Sequence, residues 1–301
     1  MLKDIANSII TQIASSVLNH DTTTELALTA FFAGGHVLLL GQTGLGKTEW
    51  TRGLAQALGI ACNRTRFSCG VTARDVLGSL FNKGDQITLQ RGPLFTQVFV
   101  ADMIADAPPN IASILMDAMD DQTVMVNGDG YYLPEPFFVV GTQEEGQDLP
   151  PSLADRFMLK LHVSYPGVAA EKQILQMHND ETSTQQNHQA ICTAESIAQA
   201  KQEVKSVAVD DAILNYIVSV VETTRRVGAV KTGVSPRGSI ALLMAAKAYA
   251  AIQGRDYVIM DDIQNLAVPT LRHRITLKPD ALQEGIQAER IIESILVGRR
   301  G

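Results

Sequence analysis

The feature that most constrains this chain is a glycine-rich segment between a short apolar run and a helical pattern. The run is residues 36–40 (HVLLL), the segment is residues 41–48 (GQTGLGKT), and helical spacing follows at Leu54, Ala55 and Leu58. The segment satisfies the pattern GxxxxGK(S/T) in the strand, loop and helix context that a phosphate-binding loop requires. We therefore expect an α/β fold in which a buried strand leads into this loop and the loop leads into a helix.

The residues of this loop predict a nucleotide with Mg²⁺ as the ligand. Glycines let consecutive backbone N–H groups converge on a phosphate, and the N-terminus of the next helix adds partial positive charge. Lys47 supplies a point charge for the β- and γ-phosphate oxygens, and the Thr48 hydroxyl is placed to coordinate Mg²⁺. The predicted cofactors are ATP and Mg²⁺, and the predicted nucleotide-binding residues are Gly41, Gln42, Thr43, Gly44, Leu45, Gly46, Lys47, Thr48 and Glu49.

A carboxylate at the end of a second apolar run completes the predicted metal site. Residues 98–101 (VFVA) have the composition of a buried strand, and Asp102 follows them directly. A nucleotide site of this type needs an acidic residue at the end of a neighbouring strand to hold the Mg²⁺ shell. Thr48 and Asp102 are therefore the predicted metal-binding residues. The alternative for Asp102 is an ordinary cap on the turn that follows.

Apolar runs and helical patterns divide the chain into two predicted domains. The first covers residues 1–178. Between Gly34 and about Tyr165 the runs and patterns alternate, which is typical of a doubly wound parallel sheet, and the apolar runs are residues 36–40, 98–101, 137–141 and 158–163. This α/β domain begins with an amphipathic helix spaced on Ile5, Ile9, Ile13 and Val17. The turn-rich residues 127–130 (NGDG) predict an inserted hairpin near residues 124–133.

The second predicted domain is a small all-α domain over residues 190–301. It follows a polar, aperiodic stretch over residues 179–189, which we interpret as a loop or linker. The helical patterns beyond this stretch are residues 212–224, 236–253, 261–266 and 279–295. Two basic clusters lie among them, Arg225-Arg226 and Arg272-His273-Arg274, and we interpret each as a solvated helix face or a subunit contact.

Composition narrows the classes of partner. The net charge of −7 disfavours nucleic acid as a ligand, because the field of the whole molecule repels phosphate backbones. The chain has no apolar run of the roughly 18 to 20 residues that a membrane span needs. Its cysteines, Cys62, Cys69 and Cys192, are odd in number and have no metal-ligand spacing, so we expect reduced side chains and a cytoplasmic location.

The motifs, taken together, resemble those of one family over nearly the whole chain. GGHVLLLGQTGLGKT, RGPLF, ADAPP, YYLPEPFFVVGTQ, LADRF, GVSPRGSIAL, GRDYV and RHRI occur in the order and spacing of the MoxR branch of the AAA+ ATPases. The resemblance implies a P-loop AAA+ core with a helical lid, ATP bound between the two, and usually a hexameric ring in which the next subunit completes each site. Relatives of this type commonly work with a partner that bears a von Willebrand factor A domain.

Two arginines receive roles from this resemblance. Arg156 in LADRF matches the arginine finger, which would reach the γ-phosphate of a neighbouring subunit. Arg237 in GVSPRG matches the sensor 2 arginine, which would come from the lid to the nucleotide of its own chain. Both roles use the guanidinium to stabilise charge on the transferring phosphoryl oxygens.

The chain departs from the family pattern at two positions. Met103 stands where the family has the Walker B glutamate, and a thioether cannot take a proton from water. Glu144 stands where the family usually has the sensor 1 asparagine, and we hypothesise that its carboxylate takes over water activation. The alternative is that Glu144 turns outward with Glu145. The predicted catalytic residues are therefore Lys47, Asp102, Glu144, Arg156 and Arg237.

Three functions remain open at this point. The first is an ATPase that remodels or assembles a client protein, with the hairpin near residues 124–133 as the client-facing element. The second is a hydrolysis-deficient regulatory or scaffold subunit in which ATP controls the oligomeric state, and Met103 favours it. The third is a DNA-associated motor, which the acidic balance disfavours.

Overall fold

Strands are concentrated in the first half of the chain, whereas helices occur from end to end. The computed structural model describes residues 1–14, 20–83, 86–179 and 189–298. The strands are β1 (Val37–Leu40), β2 (Cys62–Arg66), β3 (Gly78–Lys83), β4 (Gln86–Arg91), β5 (Val98–Asp102), β6 (Thr123–Val126), β7 (Asp129–Tyr132), β8 (Phe138–Gln143), β9 (Leu159–His162), β10 (Val230–Thr232) and β11 (Thr276–Leu277). The helices are α1 (Leu2–Ala14), α2 (Asp21–Phe32), α3 (Lys47–Ala57), α4 (Ala73–Leu77), α5 (Pro109–Asp121), α6 (Pro151–Ala154), α7 (Val168–Asn179), α8 (Ala194–Ser206), α9 (Asp211–Arg226), α10 (Pro236–Ile252), α11 (Met260–Leu271), α12 (Pro279–Gln283) and α13 (Ala288–Val297).

A five-stranded parallel sheet with the order β2-β5-β8-β1-β9 forms the centre of the first half. Every residue of β5 and β8 is buried, because helices cover both faces of the sheet. The register pairs Leu40 with both Gln143 and His162, and it pairs Ala101 with Gly141. The carboxyl ends of β1, β5, β8 and β9 therefore meet at one edge of the sheet. The predicted doubly wound α/β fold is confirmed.

The predicted hairpin is also present, as β6 and β7. Its strands are antiparallel, and the turn residues Asn127 and Gly128 have φ angles of 52° and 97°. Such positive φ angles at both central turn positions are typical of the tightest two-residue hairpins. Met125 and Tyr132 expose 60% and 82% of their surface, so the hairpin presents large apolar side chains to solvent.

Several elements lie outside the sequence predictions. β2 and the hairpin of β3 and β4 have no continuous apolar run. β2 lies at an edge of the sheet with a largely exposed sequence, CNRTR, and an edge strand needs no buried run. Helices α2 and α8 were not predicted either. In α2 most residues are buried, so its apolar residues do not fall on one face.

The second half is helical, as predicted, although its bounds differ. The pattern over residues 279–295 is two helices, α12 and α13, which are separated at Gly285 where φ is 73°. The polar stretch over residues 179–189 lies mostly outside the described residues, so the domain boundary stays a prediction. The N-terminal helix α1 buries Leu2, Ala6, Ile9 and Ile13, and Val17 lies outside the described residues.

The two halves share one hydrophobic core rather than two separate ones. Buried residues of α1, α2, α3 and β1 belong to the same cluster as those of α8 to α11 and α13. A second cluster covers the other face of the sheet, with α5 and α6 over β5 and β8. The helical half is therefore packed directly on the α/β half. Among the described residues, no helix is long and apolar enough to cross a membrane.

The triplet Arg272-His273-Arg274 connects the two halves, which corrects its prediction as a solvated face or subunit contact. Arg272 donates from Nη2 to the Lys160 carbonyl oxygen at 2.6 Å. His273 Nε2 and Arg274 Nη2 both donate to the Phe157 carbonyl oxygen, at 2.8 and 2.7 Å. The triplet is buried or half-buried because it fastens the helical half to the start of β9.

Candidate nucleotide-binding site

The glycine-rich loop, residues 41–48, runs from the end of β1 into the first turn of α3. Gly44 and Gly46 have φ angles of 91° and 74°, in the region that favours glycine. A Cβ atom on Gly44 would have no atom within 4 Å, so the space above the loop is open. At Gly41 a Cβ atom would lie 2.5 Å from the Val163 carbonyl oxygen, so this position requires glycine for a different reason. The loop has the shape of a phosphate cradle.

Lys47 lies across this cradle. Its Nζ donates hydrogen bonds to the carbonyl oxygens of Gly41 and Gln42, at 2.6 and 2.7 Å. Burial lowers the pKa of Lys47, while the negative charges of Asp102 and Glu144 oppose this shift. The ammonium group is therefore within electrostatic range of both predicted carboxylates. Glu49, by contrast, pairs with Arg52 at 2.9 Å on the exposed surface of α3, so its side chain does not face the loop.

Asp102 presents a carboxylate with both oxygens engaged. Oδ1 accepts a hydrogen bond from the Thr142 hydroxyl at 2.5 Å, and Oδ2 accepts from Arg64, with Nε at 3.2 Å and Nη2 in closer contact. Burial alone would raise the pKa of Asp102, but these hydrogen bonds and the charges of Arg64 and Arg66 outweigh burial and lower it. The group is thus an ionised carboxylate at the carboxyl edge of the sheet, and not a simple turn cap.

Met103 occupies the next position with φ at 57° and ψ at 48°. Its backbone N–H donates to the Thr142 hydroxyl oxygen at 3.0 Å. Thr142 thereby joins the end of β5 to the end of β8, because it also donates to Asp102. The Met103 side chain is half-buried and brings no carboxylate to this position.

Glu144 follows β8 and lies against the glycine-rich loop. Its Oε1 accepts a hydrogen bond from the Thr43 hydroxyl, and its charge acts on Lys47. The neighbouring Glu145 instead contacts His162 Nε2 at 2.7 Å. The structure thus places Glu144 at the loop and only Glu145 away from it. This arrangement is the one that the water-activation hypothesis requires.

The two predicted arginines lie together at the other edge of the sheet. Arg156 Nη2 is 2.8 Å from Asp120 Oδ2, and Arg237 Nη1 is 3.4 Å from Asp120 Oδ1. Asp155 contacts Arg237 at 4.0 Å and also pairs with Arg274. We call Asp120, Asp155, Arg156, Arg237 and Arg274 the arginine cluster.

The arginine cluster lies at the amino ends of the strands. Asp120 is at the end of α5, and the neighbouring Met119 carbonyl oxygen contacts His36 just before β1. Arg156 lies shortly before β9 begins. The loop with Lys47 follows the carboxyl end of β1. The expectation that Arg237 contacts the nucleotide of its own chain is therefore corrected, because Arg237 lies with Arg156 on the far side of the sheet.

The residues at the carboxyl edge fit a nucleotide with Mg²⁺. An open glycine loop with a lysine offers hydrogen-bond donors and positive charge to phosphates, and an ionised aspartate next to it offers the hard oxygen ligand that Mg²⁺ prefers. Sequence reasoning missed Arg64 and Thr142 here, and Asp120 and Asp155 in the arginine cluster. Thr142 lies inside the quoted motif YYLPEPFFVVGTQ, but the contact of Arg64 depends on strand order, which no motif revealed.

Comparison with known proteins assigns the class. A family model described as the ATPase family associated with various cellular activities (AAA) matches residues 36–159. A second model, the AAA lid domain, matches residues 222–295. The parallel sheet, the glycine-rich loop and these two matches define a AAA+ ATPase that consists of a P-loop core and a lid.

Similar proteins narrow the class to a family. An uncharacterised Bacillus subtilis protein, YeaC, is 40% identical over 278 residues, which cover 90% of this chain and 87% of that protein. Chaperone MoxR1 of Mycobacterium tuberculosis is 30% identical, with 95% of this chain and 80% of that protein covered. The crystal structure of a protein described as an ATPase from Cytophaga hutchinsonii superposes with a TM-score of 0.91 at 27% identity, and the match covers 98% and 94% of the two chains. The chain belongs to the MoxR family of AAA+ ATPases.

Proposed function

We propose that this chain binds ATP with Mg²⁺ at the carboxyl edge of its sheet and acts as a chaperone-like remodelling or assembly factor for a client protein complex. The observation that carries the proposal is the convergence of Lys47, Asp102 and Glu144 on one open glycine loop. In this proposal Thr48 and Asp102 hold the metal, and the backbone N–H groups of residues 41–49 hold the phosphates. When bound, Mg²⁺ neutralises charge on the β- and γ-phosphate oxygens.

Glu144 is the base in this proposal. Its carboxylate lies against the loop, where it can accept a proton from a water that attacks the γ-phosphate. Thr43 orients the carboxylate through its hydroxyl. Met103 leaves the usual position of the base without a carboxylate, so the reaction depends on Glu144 alone.

The experiment that tests the proposal measures binding and turnover separately. Calorimetry with ATP and Mg²⁺ should detect binding to the wild type, and Lys47→Ala should weaken it. Glu144→Gln should lower steady-state turnover by roughly 10²-fold, because a positioned general base contributes about that much. The matched control is Glu145→Gln, whose side chain contacts His162 instead of the loop. Turnover that is measurable and equal in Glu144→Gln and wild type would rule out Glu144 as the base.

Met103→Glu tests whether a carboxylate at the end of β5 can also activate the water. It restores a carboxylate at the end of β5, so it should raise turnover in the wild type and recover part of the loss in Glu144→Gln. Met103→Gln is the control for size and polarity. If Met103→Glu binds ATP but gives no gain over Met103→Gln, the side chain at this position does not face the reacting water.

The proposal includes assembly into a ring, which is typical of AAA+ proteins. In a hexamer, each copy would present its arginine cluster to the nucleotide bound by its neighbour. Arg156 and Arg237 would then stabilise charge on the γ-phosphate from the neighbour, since each guanidinium offers a planar fork of donors to phosphate oxygens. The name of one relative, Chaperone MoxR1, supports a client protein as the object of this work.

The client side of the proposal rests on the hairpin of β6 and β7. Its exposed Met125 and Tyr132 form an apolar surface that suits contact with another protein. A partner with a von Willebrand factor A domain belongs to the same proposal, as does a cytoplasmic location, which suits three free cysteines.

The second candidate is a hydrolysis-deficient regulatory or scaffold subunit in which ATP controls the oligomeric state. Met103 favours it, because the usual base is absent from the end of β5. Sedimentation with and without nucleotide, combined with turnover, separates the two. The scaffold function would be established if the wild type assembles with ATP but does not hydrolyse it, and if Met103→Glu gains hydrolysis.

A further inference from the structure

Arg64 occupies the carboxylate that the proposed function assigns to Mg²⁺. It lies on β2 opposite Val100, two residues before Asp102 on the paired strand β5. Its guanidinium approaches Asp102 Oδ2 with both Nε and Nη2. Oδ1 is taken by Thr142. A metal or its bound water would therefore approach a carboxylate that already has a partner on each oxygen.

Of the two partners, Arg64 is the one that can leave. The Thr142 residue is 1% exposed, and its hydroxyl also accepts the Met103 N–H, so its hydrogen is directed at Asp102. The Arg64 side chain is 43% exposed and comes from an edge strand. An arginine that swings into water keeps its solvation, whereas a buried threonine that turned away would leave its backbone partner unsatisfied.

A cation beside the Asp102 carboxylate stabilises it. The Asp102 side chain is only 12% exposed, and a largely buried carboxylate without a partner is costly. A guanidinium and Mg²⁺ beside the same carboxylate repel each other strongly, so each cation opposes the binding of the other.

Resting on the proposed function, we propose that Arg64 is an internal counter-cation that holds Asp102 when Mg²⁺ is absent and competes with Mg²⁺ for that carboxylate. Arg64 thus sets how much Mg²⁺ the site requires before the metal and the nucleotide bind together. It acts on the metal through Asp102, so it is a positioning residue and not a catalytic one.

Arg66 provides a matched control on the same strand. It lies two residues further along β2, opposite Asp102, and its charge also lowers the pKa of Asp102. Within the described part of the chain, however, its side chain makes no hydrogen bond to the Asp102 carboxylate. A substitution at Arg66 therefore removes a nearby positive charge without removing the contact.

The test titrates Mg²⁺ at a fixed concentration of a fluorescent, non-hydrolysable ATP analogue and at constant ionic strength. Arg64→Met should lower the half-saturating Mg²⁺ concentration by about tenfold, the scale of one lost charge-assisted contact. Arg66→Met should lower it by a much smaller factor. Arg64→Lys keeps the charge but loses the fork, so it should fall between wild type and Arg64→Met. Thermal denaturation reports whether Arg64→Met folds, and Arg64→Lys provides the test if Arg64→Met does not.

The outcomes separate this inference from the proposed function. If the wild type binds no analogue at any Mg²⁺ concentration, the proposed function fails and this inference fails with it. If the wild type binds but the Arg64 and Arg66 variants shift equally, only general charge acts and the competition is refuted. A higher Mg²⁺ requirement in Arg64→Met would also refute it, because Arg64 would then help to hold the metal.

Discussion

At the scale of single residues, His36 shows how the fold constrains protonation. Its imidazole is buried at the amino end of β1, where Nδ1 accepts the Val139 N–H at 3.1 Å and Nε2 contacts the Met119 carbonyl oxygen at 3.3 Å. Burial lowers the pKa of His36 to about 4, although the Met119 carbonyl and the charge of Asp120 oppose the shift and Lys201 adds to it. The neutral ring is therefore part of the native structure.

Acid should destabilise the protein through this group. The unfolded chain takes up the proton near pH 6.5, whereas folded His36 does so near 4, so the free energy of unfolding falls as pH drops through that interval. The loss should approach roughly 3 kcal/mol at its lower end. Urea denaturation at a series of pH values measures it. His36→Gln should remove part of this pH dependence of unfolding. His273, whose pKa burial also lowers, should contribute a further part of it.

The control for this prediction is His162→Gln. His162 is 44% exposed in its side chain and contacts Glu145 at the surface. Its replacement should leave the pH dependence of unfolding close to that of the wild type. An equal flattening in both variants would mean that the dependence arises from surface charge.

The residues of the candidate site divide sharply into those that the sequence predicts and those that it does not. The loop, Asp102 and Glu144 are predictable, because a strand end and a fixed motif spacing bring them to one edge. Arg64 is not, because its contact arises only when β2 pairs with β5. The position of Arg237 is not predictable either, since it depends on how the lid packs on the core.

At the scale of elements, the hairpin of β6 and β7 depends on its turn glycine. Gly128 has a φ of 97° with open space around its missing Cβ, so Gly128→Ala should cost about 1 kcal/mol from backbone strain alone. Hydrogen exchange of the β6 and β7 amides should report faster opening. The matched control is Gly130→Ala, whose Cβ would meet Met125 Sδ at an ordinary 3.6 Å. Equal exchange in the two variants would contradict this account.

The burial of each element decides whether the sequence predicts it. The interior strands β1, β5 and β8 have apolar runs, because both faces of the sheet are covered. The edge strand β9 also has one, because Leu159 and Leu161 are buried, whereas β2, at the other edge, has no buried residue and no apolar run. The division between α12 and α13 is also not visible in the helical pattern, although Gly285 marks it. Apolar periodicity thus reveals helices that bury one face and strands that are largely buried. It misses elements whose residues are mostly exposed.

At the scale of the whole molecule, Arg274 is the attachment point of the lid. Its side chain is 2% exposed, and it pairs with Asp155 and donates to the Phe157 carbonyl oxygen. Arg274→Met should lower the free energy of unfolding by roughly 3 kcal/mol, because it removes one partner of an ion pair with Asp155 and a buried hydrogen bond to the Phe157 carbonyl oxygen. Chemical denaturation measures this loss. The control, Arg226→Met, removes an exposed pair with Glu222 and should change stability by less than about 1 kcal/mol.

The separation of the loop from the arginine cluster predicts shared sites between copies. In the proposed ring, Lys47→Ala would remove a phosphate contact of the loop, whereas Arg156→Ala would remove a guanidinium that a neighbouring copy uses. Each variant alone should lose turnover, but a mixture should recover part of it, because some interfaces combine an intact loop with an intact arginine. Turnover of mixed samples against each variant alone measures this. A mixture without any recovery would place both residues in the site of a single chain.

Asp120 contacts both Arg156 and Arg237. In the arginine cluster three guanidiniums face two carboxylates, which leaves one unit of positive charge unmatched. An anion arriving from an adjacent copy would draw on both arginines at once, because they are tethered to the same anchor. In the proposed ring, such an anion would therefore weaken both ion pairs of Asp120 together.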